Sequence, residues 1–207
     1  MSTAAEPDRW RSQTADFPTH RGRRTQAAID VAARTVIARK GILATTIADI
    51  AAEAGRSAAS FYNYYDSKEA MVRQWALRFR DEITERARAV TAHGLSNRER
   101  AYAAAAAQWQ TYRNRLAEII SVYQLAMVND DFARYWAEIG ALPTAFISES
   151  VRRAQAEGYC PDDDPQLIAE AILAMFNQFC YVQLTRPDEP DDAACIRTLA
   201  NIYYRAI

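Results

Sequence analysis

At 207 residues, half of them hydrophobic, the chain is long enough to bury a real core in one or two domains. Alanine dominates, glycines number only six, and β-branched alternation is scarce, so the composition points to an all-helical protein and away from sheet folds. The net charge of −1 decides nothing about partners, but its distribution does: residues 1–80 hold 13 Lys and Arg against 8 Asp and Glu, and residues 81–207 hold 12 against 18. A basic front and an acidic back suit a protein that meets nucleic acid with one end.

Residues 1–20 mix Pro, Ser, Thr and charge without a period and read as a flexible arm. Arg21, Arg23 and Arg24 extend that arm toward a phosphate backbone or a minor groove. From Arg24 to Lys40 runs the first firm helix, with Ile29, Ala32, Ala33, Val36 and Ile37 on one face; Arg39 and Lys40 suit its C-terminal dipole, and Gly41 ends it.

The next stretch, TIADIAAEAGRSAASFYNYYDSK from Thr46 to Lys68, organises the rest. Thr46 caps a helix, and Asp49 closes the capping box three residues later. Ile47, Ile50, Ala51 and Ala54 fall on one face, Gly55 ends the helix, and Ser57 caps a second one almost at once. Two short helices joined by a tight glycine turn are the signature of a helix-turn-helix, whose second helix is the candidate reader of a major groove; on spacing alone, a pair of core helices with a routine turn reads equally well. Ala58, Ala59 and Ser60 let the backbone approach DNA, while Ser60, Tyr62, Asn63 and Tyr64 offer polar groups to phosphates and base edges. Phe61 and Tyr65 are four apart and pack inward.

Ser67 to about Val90 is a long helix with Val72, Trp75, Ala76 and Phe79, then Ile83, on its apolar stripe. No linker interrupts it, so head and body divide inside it near Phe79: residues 1–20 form the arm, 21–79 the head and 80–207 the body. Thr91 to Gly94 end it, and Ser96 with Glu99 opens another helix through an alanine run to Tyr112. A further helix carries Leu116 to Met127, Asn129 and Asp130 break the chain, and Gly140 and Pro143 break it again before Phe146 to Gly158. Asp164 and Pro165 start the next helix, and the last begins near Asp191. The total is about nine helices and no strand.

The three cysteines, Cys160, Cys180 and Cys195, form no CxxC pair, and their odd number discourages a disulfide framework, which fits a reducing cytoplasm. No apolar run reaches the roughly 18 residues of a membrane span, and no secretory h-region is present. His20 and His93 are isolated, no glycine-rich phosphate loop exists, and the Asp162 to Asp164 run reads as a helix start. No catalytic residue, metal site or cofactor is expected, and the chain is not expected to be an enzyme.

From about Arg24 to Met71 the chain resembles the DNA-binding domain of the TetR family of bacterial transcriptional regulators. The matching string runs Gly41, Thr45-Thr46-Ile47, Ile50-Ala51, Ala54-Gly55, Ser57, Phe61-Tyr62, Tyr64-Tyr65 and Lys68-Glu69. Arg56 stands where a valine is usual, Ala59-Ser60 replaces Gly-Thr, and Asn63 replaces a frequent histidine, so no operator sequence carries over. The resemblance implies a three-helix DNA-binding head on a helical body that binds a small effector, with the last two long helices pairing in a homodimer through contacts such as Leu184 and Ile196. It places Tyr62 and Lys68 against phosphates. The expected DNA contacts are Arg23, Arg24, Thr46, Arg56, Ser57 and Ala58, then Ala59, Ser60, Tyr62, Asn63, Tyr64 and Lys68. The aromatic and methionine residues Trp109, Tyr112, Tyr123, Met127 and Trp136, with Phe146, Met175, Phe176 and Phe179, are the candidate lining of an effector site. Gln108, Gln124, Asn177, Gln178 and Gln183 are weaker polar candidates, since a buried amide needs partners.

The expected function is a cytoplasmic transcriptional regulator, a repressor released from double-stranded operator DNA by a hydrophobic small molecule. The alternatives are a constitutive or architectural DNA-binding regulator and a helical carrier or enzyme with a vestigial head. Sequence-specific DNA binding separates the last from the others, and an effector that releases DNA separates the first two.

Overall fold

The computed structural model describes residues 20–78, 95–158 and 162–206. Residues 1–19 of the arm expected over 1–20, and the expectations for Phe79, Ile83, His93, Cys160 and Pro161, lie outside these; His20 itself opens the first helix. The described residues form eight helices and no strand.

The head contains α1 (His20–Ala44), α2 (Ile47–Glu53), α3 (Ala58–Tyr62) and the start of α4, described over residues 68–78. Arg21, Arg23 and Arg24 belong to α1 and not to an extended arm. Gly41 breaks α1 with φ 73° and ψ 164°, a region that essentially only glycine occupies. Ser67 starts α4, its hydroxyl accepting the Ala70 N–H at 3.0 Å.

Ile29, Ala33, Ile37, Ile42, Ile50 and Phe61 pack with Tyr65, Met71, Val72, Trp75 and Ala76 into the head core. Asp30 is buried beside them and accepts from the Tyr65 hydroxyl at 2.6 Å and from Trp75 Nε1 at 3.2 Å, with Arg78 at 3.4 Å. Burial, then the Asp30 charge, holds the Tyr65 phenol well above its usual range, so it stays a neutral donor. The buried carboxylate is thus paired and hydrogen-bonded, the condition under which a charge is tolerated inside.

Four helices carry the rest: α5 (Asn97–Ala126), α6 (Asp130–Ala156), α7 (Pro165–Leu184) and α8 (Asp192–Ala206). The Ser96/Glu99 capping box opens α5 as expected, and the Ser96 hydroxyl, then the Ser96 N–H, donate to the Glu99 carboxyl and hold it below its usual range. The two helices expected on either side of residues 112–116 are one, bent at Arg115 with φ −133° and ψ 23°. Likewise α6 does not break at Gly140 and Pro143. Proline there removes the backbone donor that would reach the Ile139 carbonyl, and in the same turn the Thr144 hydroxyl donates to the Gly140 carbonyl at 2.8 Å. Packing holds both halves in line: Phe132 and Tyr135 are buried before the proline, Ile147 and Val151 after it. With these two mergers the described residues hold eight helices against the expected nine or so.

The body core gathers Trp109, Tyr112 and Ile119 from α5, Ile147 and Val151 from α6, Ile172, Phe176 and Cys180 from α7, and Ile196, Leu199 and Tyr203 from α8. Each such side chain contributes about 1.5–3 kcal/mol when fully buried. Helix α5 serves both cores, because its Ala117, Val122 and Leu125 close the head core together with Phe132 and Tyr135 of α6. The Tyr135 hydroxyl also donates to the Ala76 carbonyl of α4.

Helix α7 is long and apolar enough to cross a membrane by length and composition, although Gln166, Glu170, Asn177 and Gln178 interrupt its apolar run. Its inner stripe, Ala169, Ile172, Phe176 and Cys180, is packed into the body core. Its outer stripe, Leu167, Ala171, Ala174, Gln178, Tyr181 and Val182, is exposed at helical spacing. Ile196, expected at a dimer contact, is buried in the chain's own core, and Leu184 packs against that core.

Candidate nucleic-acid interface

The turn between α2 and α3 is built by local bonds. The Thr46 hydroxyl accepts the Asp49 N–H at 3.1 Å, and Asp49 accepts the Thr46 N–H at 2.8 Å. Asp49 also receives Lys40 at 2.6 Å, and the Lys40 and Thr46 hydrogen bonds hold its carboxyl far below the usual range. At the other end of α2, the Gly55 N–H reaches Ala52 O at 3.1 Å and the Arg56 N–H reaches Ala51 O at 2.9 Å. With φ 61° at Gly55, this is a Schellman closure, which fixes the angle at which α3 leaves. Ser57 then caps α3, accepting the Ser60 N–H at 3.3 Å.

Phe61 and Tyr65 anchor α3 from within: both are buried, with ring centroids 5.5 Å apart. That orientation leaves Arg56, Ser57, Ala58, Ala59, Tyr62 and Asn63 exposed on the outside. Ser60 and Tyr64 are half-buried, and Tyr64 packs against the head core. Thr46 is exposed, with its hydroxyl committed to the cap. Arg23 and Arg24 are exposed at the start of α1, whose first turn holds no acidic residue. Arginines at this positive end of the helix dipole are unfavourably placed, a cost that a bound anion would offset.

Lys68 stands apart from this surface. Its ammonium donates to the carbonyls of Ile42 at 2.8 Å, Thr45 at 2.9 Å and Leu43 at 3.3 Å. An ammonium has three hydrogens, and these three contacts occupy them. The side chain fastens the start of α4 to the turn that leads into α2.

In the body, Trp109, Tyr112 and Phe176 are buried together, and Trp136, Met175 and Phe179 are partly buried against them. The Trp109 and Phe179 rings are 6.4 Å apart, and Tyr123 and Trp136 are 5.4 Å apart. Met127 and Phe146 are not brought to this cluster; both are exposed, as is Tyr123 on one side. Trp109 Nε1 and Ser148 Oγ are buried without a hydrogen-bond partner among the described residues. The amides resolve differently: Gln108 donates to Asn177 at 2.7 Å, whereas Gln124 accepts the Ile42 N–H of the head at 2.9 Å. Sequence reasoning did not find Arg34, Glu118 or Asp30, the charged residues of the head and of its junction with the body. Their only signal is charge on otherwise apolar helix faces.

A rigidly capped hairpin with buried rings on one side and small, polar and basic residues on the other defines a helix-turn-helix DNA-binding head. Residues 29–74 match the family model "Bacterial regulatory proteins, tetR family", and this head is that of the TetR family. The transcriptional repressor KstR2 of Rhodococcus jostii (strain RHA1) is 43% identical over 77 residues, a match that spans 37% of each chain. The structure of the MbdR regulator from Azoarcus sp. CIB aligns with a TM-score of 0.75 at 17% identity, over 88% of this chain and 98% of that one. The ketosteroid transcriptional regulator KstR2 of Mycobacterium tuberculosis aligns with a TM-score of 0.68 at 23% identity, over 87% and 93%. Over the aligned residues the chain therefore has the fold of these regulators, and the matched family and relatives are transcriptional regulators, not enzymes.

Proposed function

We propose that this chain is a cytoplasmic, ligand-responsive transcriptional regulator: a homodimeric repressor that leaves its operator when a mostly apolar small molecule binds the body. The observation that carries the reading is the exposed surface from Arg56 to Asn63 on a hairpin whose ends are capped and whose rings are buried. In this reading Arg56 and Asn63 read bases, Ser57, Ser60 and Tyr62 meet phosphates, and Arg23 and Arg24 follow the backbone.

The effector reading rests on the body core. Trp109, Tyr112, Phe176 and their partly buried neighbours form an apolar core with few charges, a setting that favours a hydrophobic ligand between these helices. The orphaned Trp109 Nε1 and Ser148 Oγ supply polar handles, since buried polar atoms require partners. One protein of the same fold is a ketosteroid transcriptional regulator, and ketosteroids are mostly apolar molecules. The dimer reading rests on the exposed apolar stripe of α7, which pairs with its twofold mate.

The test is one titration reading tryptophan fluorescence and operator occupancy together. A hydrophobic effector quenches Trp109 or Trp136 and releases DNA, because only a ligand with differential affinity shifts the equilibrium. Binding that leaves DNA occupancy unchanged refutes the switch, and a charged metabolite that releases DNA while apolar compounds fail to bind refutes the assigned ligand class.

A further inference from the structure

The reading hairpin hangs from a short turn, and the body holds that turn. Past the break at Gly41, the Ile42 N–H donates to Oε1 of Gln124 on α5 at 2.9 Å instead of continuing α1. The Gln124 amide lies so close that a Cβ on Gly41 would meet its Oε1 at 2.7 Å and its Nε2 at 2.8 Å. The Thr45 hydroxyl folds back to Gly41 O at 2.6 Å, and the carbonyls of Ile42, Leu43 and Thr45 receive Lys68. The hairpin begins at Thr46 and ends at Lys68, so both of its ends are tied to the turn that Gln124 grips.

A second fastening lies eight residues earlier on α1, roughly 12 Å along its axis. Arg34 Nε meets Oε1 of Glu118 at 2.7 Å, and the same oxygen takes Arg115 at 3.3 Å, at the bend in α5. The Glu118 side chain is only 3% exposed, and Arg34 also lies 4.9 Å over the Trp75 ring. One buried carboxylate thus ties α1, already stacked on α4, to the bend of the helix whose first half lies in the body core. Two separated attachments hold the head against rotation about either one.

We propose that Gln124 and Glu118 are positioning residues for DNA recognition. They fix the angle of the reading hairpin on the body, and therefore the separation of the two hairpins in the dimer. This inference rests on the DNA-binding dimer proposed above. It assigns spacing selectivity to α5, through side chains that need touch neither DNA nor effector.

The test uses the full chain and double-stranded oligonucleotides that the wild-type protein selects from a random library. Paired half-sites are then varied in spacer length one base pair at a time, with a thermal melt for each variant. Gln124→Met, which keeps the length of the side chain and removes the acceptor, should retain the half-site sequence preference. Its discrimination between the best spacer and its neighbours should fall about fivefold, the factor of one lost hydrogen bond. Gln124→Glu, which restores an acceptor to Ile42, should recover the wild-type profile. Glu118→Gln should also broaden the profile, and it carries the test if Gln124→Met does not fold. Folded variants with an unchanged spacer profile overturn the proposal and leave the DNA-binding function standing. A wild-type protein that selects no DNA at all overturns both.

Discussion

Lys68→Met separates two roles for one cation. The resemblance puts Lys68 on a phosphate, whereas its ammonium is held by the carbonyls of Ile42, Thr45 and Leu43. Methionine keeps the apolar stem and removes all three donors. The Ile42 and Thr45 contacts are part-buried, and the Leu43 contact is exposed and readily replaced by water. Hydrogen bonds to a charged group contribute about 1.5–3 kcal/mol each, so losing the two part-buried ones should cost about 3 kcal/mol, the lower end of their sum because water reaches the freed carbonyls. For a chain of this size that lowers the Tm by about 6–12 °C. Urea or thermal unfolding measures it. Operator affinity measured from low to moderate salt gives the second reading, since each phosphate contact contributes about 0.9 to the salt slope. The expected outcome is a lower Tm with the wild-type slope. A wild-type Tm with the slope reduced by about 0.9 would refute the carbonyl role and return Lys68 to the DNA.

Gly41→Ala should destabilise the protein by about 1–3 kcal/mol, because its backbone lies where side chains are strained and the new methyl meets the Gln124 amide; an unchanged melt would refute this. Asp49, held low by Lys40 and Thr46, contributes stability that is full at neutral pH and is lost as pH falls below the ordinary value of 3.8. Asp49→Ala should therefore flatten the acid limb of Tm against pH, and an identical limb would show that the cap carries no such linkage. Arg56→Ala and Asn63→Ala should relax base preference at separate operator positions in a randomised library, and preferences identical to wild type would remove both from the reading set. Val182→Glu on the exposed stripe of α7 should shift the sedimentation profile toward monomer, and a persistent dimer would place the interface elsewhere.

What was legible in the sequence was mostly local. Thr46 with Asp49, Ser96 with Glu99 and the glycine at position 55 declare themselves because each partner lies within three or four residues. The inward placement of Phe61 and Tyr65 follows from spacing alone. Pro143 misled because its local penalty is overridden by burial on both sides, and Arg115 because a bend in a helix leaves no mark that differs from a short loop. The body candidates scattered for a related reason: periodicity shows that a helix has an apolar face, but not whether Met127 or Phe146 lies on it. Gln124 was singled out as an amide that needed a partner, and its partner proved to be a backbone N–H 82 residues away. No spacing rule reaches that far.

The shared core of the head limits how this protein can be taken apart. Ala117, Val122, Leu125, Phe132 and Tyr135 seal the head, yet they arrive in the chain some forty to sixty residues after it ends. A fragment stopping at residue 78 would leave Ile29, Ile37, Trp75 and their neighbours open to water on one side. Chimeras that graft this head onto a foreign body would have to bring the second half of α5 and the first turns of α6 with it. Evolutionary exchange of reading heads between such bodies faces the same seam, so a new operator is more readily reached by point changes on α3 than by recombination.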